Sequence, residues 1–371
     1  MKRFSAVFVT PPAVFVAVLI GGGYGTGREI VEFFSRHGFW GGIAGLLTSL
    51  VLFALILGLT FDAARRWHSY DYVSFFKELI GPVWWLFEVL YLLLTLLVLA
   101  VLSAAAGDML LSEYALNADF GLGITMLVIA LMLFFGRSFI ERALTWWTAG
   151  MYAVFAVYFI FVFNAIAPIN TPAAGATTDL LHLSAFGHGM AGGALYVMYN
   201  VSVAPVLLFA TRQIQHQSEA YLSALVTSIT LLVPALLFHL SFSGAGGDVV
   251  DQSVPVYWMI GQYAPSLFRS VFVIVLLGTL VQTGVGLIHG FIERVEQAWA
   301  KDESAGLSGT ARVAIASAVL IASWALAKLG IITLIASGYT ALGVGFALTY
   351  VLPLVARFIK DRWRTGDSSR V

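Results

Sequence analysis

The sequence predicts an all-α polytopic membrane protein with ten transmembrane helices, and three observations carry that expectation. Hydrophobic residues make up 60% of the 371 residues and charged residues only 11%, where an ordinary soluble domain has roughly a quarter of its residues charged. Apolar runs recur along the whole chain at about the 20 residues a helix needs to cross a hydrocarbon core about 30 Å thick, which leaves no room for a sizeable soluble domain. Lysine and arginine, finally, concentrate in alternate breaks between those runs, as the positive-inside rule requires.

The first run, Ala6 to Arg36, follows Met-Lys-Arg. It reads as an uncleaved first span rather than a secretory leader, because Pro11 and Pro12 interrupt it early and no convincing small-residue cleavage site precedes its glycines. Those glycines form the segment Gly-Gly-Gly-Tyr-Gly-Thr-Gly from Gly21 to Gly27. Five of them in one heptad remove roughly 4 to 5 kcal/mol of helical preference, so the span is expected to unwind there. Backbone unwound at membrane depth is tolerated where protein buries it or it lines a cavity, which makes it a candidate binding site.

Charged or Pro/Gly-rich breaks delimit the next four spans, Gly41 to Phe61, Val83 to Ala106, Asp119 to Gly136 and Ala143 to Ile166. Five more follow at Phe186 to Thr211, Leu222 to Phe242, Leu267 to Ile292, Val313 to Ala327 and Ile332 to Ile359. With the N-terminus in the cytoplasm, every lysine and arginine except Arg28, Arg36, Arg269 and Lys328 falls on the cytoplasmic side. Both termini are therefore expected inside. Ten spans in two sets of five make the second set inverted if the halves are structural repeats, about 5–166 and 186–360 of one domain spanning 1–371, with a short cytoplasmic tail at 361–371. The sixth span then corresponds to the first. Tyr199, Asn200, Ser202 and Pro205 interrupt it, so a second discontinuity is expected there.

Paired interrupted segments point to a transporter's binding site. The substrate-binding candidates are accordingly Gly23, Tyr24, Gly25, Thr26, Gly27 and Arg28 on the first span, with Tyr196, Tyr199, Asn200 and Ser202 on the sixth. Arg28, Glu32 and Arg36 share one helix face at i, i+4 and i+8 and could form an ion-pair ladder. Arg28, Glu29, Glu32 and Tyr339 are the gate candidates, the partner of Arg28 being Glu29, Glu32 or Tyr339. Exchange of Arg28 for glutamine is expected to change substrate affinity more than folding. Thr279 and Thr283 lie one turn apart on the eighth span, beside Gln282, and could complete an oxygen cage for Na⁺ with carbonyls around Leu19 and Gly22; membrane threonines also commonly bond their own backbone. Glu88, His188, His239 and His289 could carry protons, although such residues are more often structural and none has metal-ligand spacing.

No Walker A, G-x-S-x-G or H-E-x-x-H pattern is present, so nothing points to an enzyme. The chain has no cysteine, and its twenty basic and twenty acidic residues balance, so net charge points to no nucleic acid. The partners expected are a small-molecule substrate and the lipid bilayer, with no cofactor beyond a coupling Na⁺.

The glycine-rich break with Gly27, Arg28, Glu29, Phe33 and Phe34, the segment Tyr-Val-Met-Tyr-Asn from Tyr196 to Asn200, and Thr-Gly-Val-Gly-Leu-Ile-His-Gly from Thr283 to Gly290 resemble the LeuT-fold transporters of the amino acid/polyamine/organocation superfamily. More narrowly, the chain resembles the YkvI-like bacterial membrane proteins. The resemblance implies a location in the bacterial inner membrane, a LeuT-like 5+5 inverted repeat with broken helices 1 and 6, and alternating access around a site between spans 1, 3, 6 and 8. It also implies an external-gate role for Arg28 and a lid over Asp248 to Pro265. Sodium-coupled members place an ion against a Ser/Thr pair on span eight, where this chain has Gln282 and Thr283. Proton-coupled members can use a lysine on span five, where this chain has none. The function expected is secondary transport of a small polar solute, an amino acid or related zwitterion, coupled to Na⁺ or H⁺. The alternative is a non-transporting ligand-binding receptor subunit of the same fold.

Overall fold

A computed structural model of the chain describes residues 2–19, 22–115, 117–132, 137–165, 179–299 and 308–367. The described residues are helical and contain no β-strand. The glycine-rich first segment comprises α1 (Lys2–Phe8), α2 (Thr10–Leu19), α3 (Gly22–Thr26) and α4 (Arg28–Phe33). Next come α5 (Gly38–Trp67), α6 (Tyr72–Ile80), α7 (Trp85–Tyr114), α8 (Ala118–Met132) and α9 (Arg137–Ala165). The second half has α10 (Asp179–Asn200), which runs into a 3₁₀ stretch, Val201–Thr211, then α11 (Gln217–Ala245), α12 (Pro255–Tyr263), α13 (Ser266–Trp299) and α14 (Gly309–Ala327). The last segment is α15 (Ile331–Thr333), α16 (Thr340–Phe346) and α17 (Leu352–Asp367), joined by π-helical stretches at Leu334–Tyr339 and Ala347–Val351.

Six of the described helical stretches are long and apolar enough to cross a membrane: Arg28–Trp67, Trp85–Tyr114, Gln217–Ala245, Ser266–Ile292, Thr310–Ala327 and Ile331–Asp361. Shorter apolar helices at Arg3–Val16, Asp119–Leu131 and Gly150–Ala165 fall in the expected first, fourth and fifth spans. Residues 133–136, at the end of the fourth, and 166–178, in the loop expected to face outward, lie outside the described residues. The tail expected from 361 begins as helix, since α17 continues to Asp367, and 368–371 lie outside the described residues.

In lipid, helices gain little from burying apolar surface, so close backbone packing has to hold them together. The seam between α5 and α10 does this with two glycines a turn apart on each helix. A Cβ on Gly45 would lie 2.6 Å from the Gly189 carbonyl oxygen, and one on Gly41 2.7 Å from that of Ala185. Ser49 Oγ donates to the Gly193 carbonyl at 3.0 Å alongside. A second anchor forms around α6, where Asp71 caps the helix by accepting from the Ser74 amide at 2.9 Å. Phe76 of that helix stacks on Phe87 at 3.8 Å between ring centroids, against Tyr350, whose hydroxyl meets Thr60 Oγ1 at 2.6 Å. These contacts hold α5 against α10, and α5, α6, α7 and the last segment against one another.

Candidate functional site

Between α3 and α4 the chain turns at one residue. Gly27 adopts φ 76°, ψ −4°, between α3 and α4. Only glycine takes that conformation without strain. Thr26 Oγ1 bridges the break, donating to the Gly23 carbonyl at 3.1 Å and accepting from the Arg28 amide at 3.3 Å. A Cβ on Gly27 would lie 2.7 Å from both Phe242 and Val256. Within the glycine segment the described break falls at Gly27 while Gly22–Thr26 keeps a helical turn, so the unwinding is shorter than the whole heptad among the described residues; Gly21, like Ile20 before it, lies outside them. The other glycines admit close neighbours instead. A Cβ on Gly23 would sit 2.6 Å from the Glu29 carboxyl carbon, and one on Gly25 2.6 Å from Leu276. Dense packing outweighs a propensity cost of about 1 kcal/mol per glycine.

α4 presents two charge systems on different faces, because successive residues on a helix point about 100° apart. On one, Arg28 donates to Glu32 Oε2 at 2.8 Å and to the carbonyls of Val250 and Gln252 at 2.6 and 3.1 Å. Glu32 also accepts from Arg36, so the ladder of Arg28, Glu32 and Arg36 is formed. The partner of Arg28 is Glu32, and the carbonyls belong to the 247–252 segment leading into α12, within the expected lid. On the other face Tyr199 Oη donates to Glu29 Oε2 at 2.5 Å. Tyr339 stacks on Tyr199 with centroids 4.5 Å apart. Glu29 and Tyr339, grouped with the gate from sequence, therefore sit apart from Arg28.

Glu29 opens onto a cavity of about 90 Å³. Leu19, Gly23, Tyr199, Asn200, Ser202, Thr283 and Tyr339 border it, with an apolar wall of Leu94, Val98 and Leu102 from α7, and it extends towards Tyr91 and Leu287. Tyr24 and Tyr196 are not among its described lining; Tyr196 Oη donates to Tyr24 Oη at 3.0 Å and Tyr24 Oη to the Leu231 carbonyl at 3.1 Å. The discontinuity expected in the sixth span is a change of winding rather than an unwound turn: α10 tightens into the 3₁₀ stretch at Val201–Thr211 that contains Pro205. Side chains satisfy carbonyls there, with Asn200 Nδ2 donating to Tyr196 O at 2.9 Å and Ser202 Oγ to Tyr199 O at 2.6 Å.

The residues expected around Na⁺ are only partly brought together. Leu19 and Thr283 reach the cavity, whereas Gly22, Thr279 and Gln282 are not among its described lining. Both threonine hydroxyls donate within their own helix, Thr279 to Val275 O at 2.8 Å and Thr283 to Thr279 O at 2.9 Å. His239 is structural, taking a hydrogen bond from Ser35 Oγ at 2.9 Å and donating to Phe39 O at 3.0 Å. Glu88 pairs with Arg294 at 2.8 Å, and the guanidinium lies over Tyr91 and Tyr72 at 3.8 and 4.2 Å. Sequence reasoning missed this clamp, whose parts are far apart in the chain, and also missed Glu29 as a cavity group. The helical offset of Glu29 from the Arg28–Glu32–Arg36 stripe was the available signal.

No family model matches the chain. It is 24% identical over 299 residues to the uncharacterized membrane protein YkvI of Bacillus subtilis, a match covering 76% of this chain and 79% of that protein. Among solved structures its fold is similar to that of a manganese transporter from Eremococcus coleocola. A point variant of that transporter aligns with a TM-score of 0.56 at 12% identity, over 94% of this chain and 78% of the other. The same transporter in complex with an aromatic bis-isothiourea substituted compound gives 0.52 at 15% identity, over 95% and 78%. The fold is thus a membrane-protein fold that a transporter also uses.

Proposed function

We propose that the protein is a secondary transporter that moves a small polar solute bearing an ammonium group, an amino acid or related zwitterion, by alternating access coupled to Na⁺ or H⁺. The observation that carries this reading is Glu29, a 6% exposed carboxylate on a cavity with no arginine, lysine or histidine paired to it among the described residues. A buried ionised group is costly unless compensated, so such a site favours a cationic occupant. The ten-span, LeuT-like 5+5 arrangement belongs to this reading, as do the bacterial inner membrane and cytoplasmic termini, supported by the charge bias of the loops. Arg28 acts here through the lid, which it ties to α4, and is not among the described lining of the cavity.

Manganese, the cargo named for the structural neighbour, is less well supported as a substrate. Among the described residues no three His, Cys, Asp or Glu side chains group as metal ligands. One carboxylate with a phenol, an amide and hydroxyls suits an ammonium group better than a transition metal.

A thermal-shift screen of the purified protein against amino acids, amines and small carboxylates, each in Na⁺ and in K⁺ medium, tests the reading. A ligand at 100 times its Kd adds about 2.7 kcal/mol. Stabilisation by ammonium-bearing solutes followed by uptake into liposomes is the expected result. Binding without flux identifies a receptor subunit instead, and stabilisation by carboxylates alone refutes the ammonium site.

A further inference from the structure

Tyr199 occupies Oε2 of Glu29, and Oε1 receives no hydrogen bond from the described residues. Gly23 is the reason the carboxylate can fold back against α3, since any larger residue there would displace it. Among the described residues the titratable groups facing it are all phenols: Tyr24 from α3, Tyr196 and Tyr199 from α10, and Tyr339 from the π-helical stretch, with Tyr91 of α7 also lining the cavity. From α13 the cavity receives Thr283 and Leu287, and from α2 Val18 and Leu19, none of them charged. His239 of α11 is held by Ser35 and Phe39, and on α4 itself Arg28 and Glu32 are committed to each other and to the lid.

A lone carboxylate among phenols and aliphatic side chains has two ways to avoid an uncompensated buried charge: it takes up a proton, or it pairs with a cation. We infer that Glu29 is a single site occupied in alternation by a proton and by the ammonium group of the solute. Entry of the ammonium group breaks the carboxyl O–H bond, and the proton leaves to water through the cavity. The Glu29 charge is compensated in both states, by the proton or by the ammonium group, so the solute and the proton exchange rather than travel together. This inference rests on the transporter reading and assigns its coupling ion.

The test is infrared spectroscopy of the full-length protein in lipid, with methylammonium as probe. At neutral pH without the probe, the carbonyl stretch of a protonated carboxyl is expected in the wild type, absent from Glu29→Gln and retained by Glu29→Asp. Saturating methylammonium is expected to abolish the band and release about one proton per protein, and its apparent affinity weakens about tenfold per pH unit as acid competes for the site. A wild type lacking the band, or a band indifferent to methylammonium, overturns the inference. Liposome flux separates the two claims: methylammonium flux without the band sinks the proton site alone, whereas a responsive band with no flux of any solute sinks the transporter premise.

Discussion

Replacing Arg28 by glutamine removes the cation that joins α4 to the 247–252 segment. Arg28 and Glu32 are 3% and 7% exposed. Breaking a buried pair from one side costs about 3–5 kcal/mol, because the remaining charge is left uncompensated. Glu32 keeps Arg36, so the lower end applies, about 3 kcal/mol. At roughly 2 °C per kcal/mol for a chain of this size, thermal unfolding in detergent should fall by about 6 °C. If most of the loss is felt as lid opening, the open population rises about a hundredfold, since each 1.4 kcal/mol is a factor of about ten. The chain has no cysteine, so a single Val249→Cys reports this cleanly: Val249 is 1% exposed and precedes the residue whose carbonyl accepts from Arg28. Maleimide should label it about a hundredfold faster in the Arg28→Gln background. Adding Glu32→Gln, which removes the stranded charge, should recover part of the stability. An Arg28→Gln protein that melts within about 1 °C of the parent and labels no faster would refute the claim that this pair closes the lid.

The remaining predictions address other parts of the site. Gly27→Ala places a Cβ at φ 76° and against Phe242 and Val256, and should cost at least about 1–2 kcal/mol from backbone strain alone, seen as a lower melting temperature than that of Gly123→Ala, which meets nothing within 4 Å. Tyr199→Phe removes the donor to Glu29 and should weaken solute binding about tenfold by isothermal calorimetry; unchanged affinity would separate Tyr199 from the site. Thr279→Val should leave any difference in melting temperature between Na⁺ and K⁺ media unchanged, because its hydroxyl bonds Val275, and loss of that difference would restore Thr279 as an ion ligand. Arg294→Gln removes the pair with Glu88 and the contacts to Tyr72 and Tyr91, which should lower stability by about 2 kcal/mol in a denaturation series and speed labelling of a cysteine at Leu94 in the cavity wall.

The helical segments were legible because apolar length and punctuation are local properties, and the Arg28–Glu32–Arg36 ladder was legible because i, i+4 spacing fixes a face. The glycine segment was legible as a break, at Gly27, but not in its extent. Propensity predicts unwinding, but Gly23 and Gly25 exist to admit Glu29 and Leu276, neighbours brought from beyond the break and from α13. The α5–α10 seam shows the same limit: Gly41, Gly45, Gly189 and Gly193 have the spacing of a packing motif, yet nothing in the sequence says which pair of helices meets. Pro205 marked a real irregularity, while its form, a tightened 3₁₀ stretch, depended on Asn200 and Ser202 satisfying carbonyls in place.

The position of Gly27 explains how the two charge systems can be linked. α4 is only six residues long, too short to bend internally, and it joins α3 through one left-handed residue. Arg28 fastens one face of it to the 247–252 segment and Glu29 fastens another to Tyr199. Any rotation of α4 about Gly27 that releases the Val250 and Gln252 carbonyls must also carry the Glu29 carboxylate away from its phenol and from Gly23. Coupling between two sites requires an element with discrete arrangements that both sites bias. On the transporter reading proposed above, that element is α4, a turn and a half of helix with the 247–252 carbonyls on one side, a carboxylate on the other, and the left-handed Gly27 at its base.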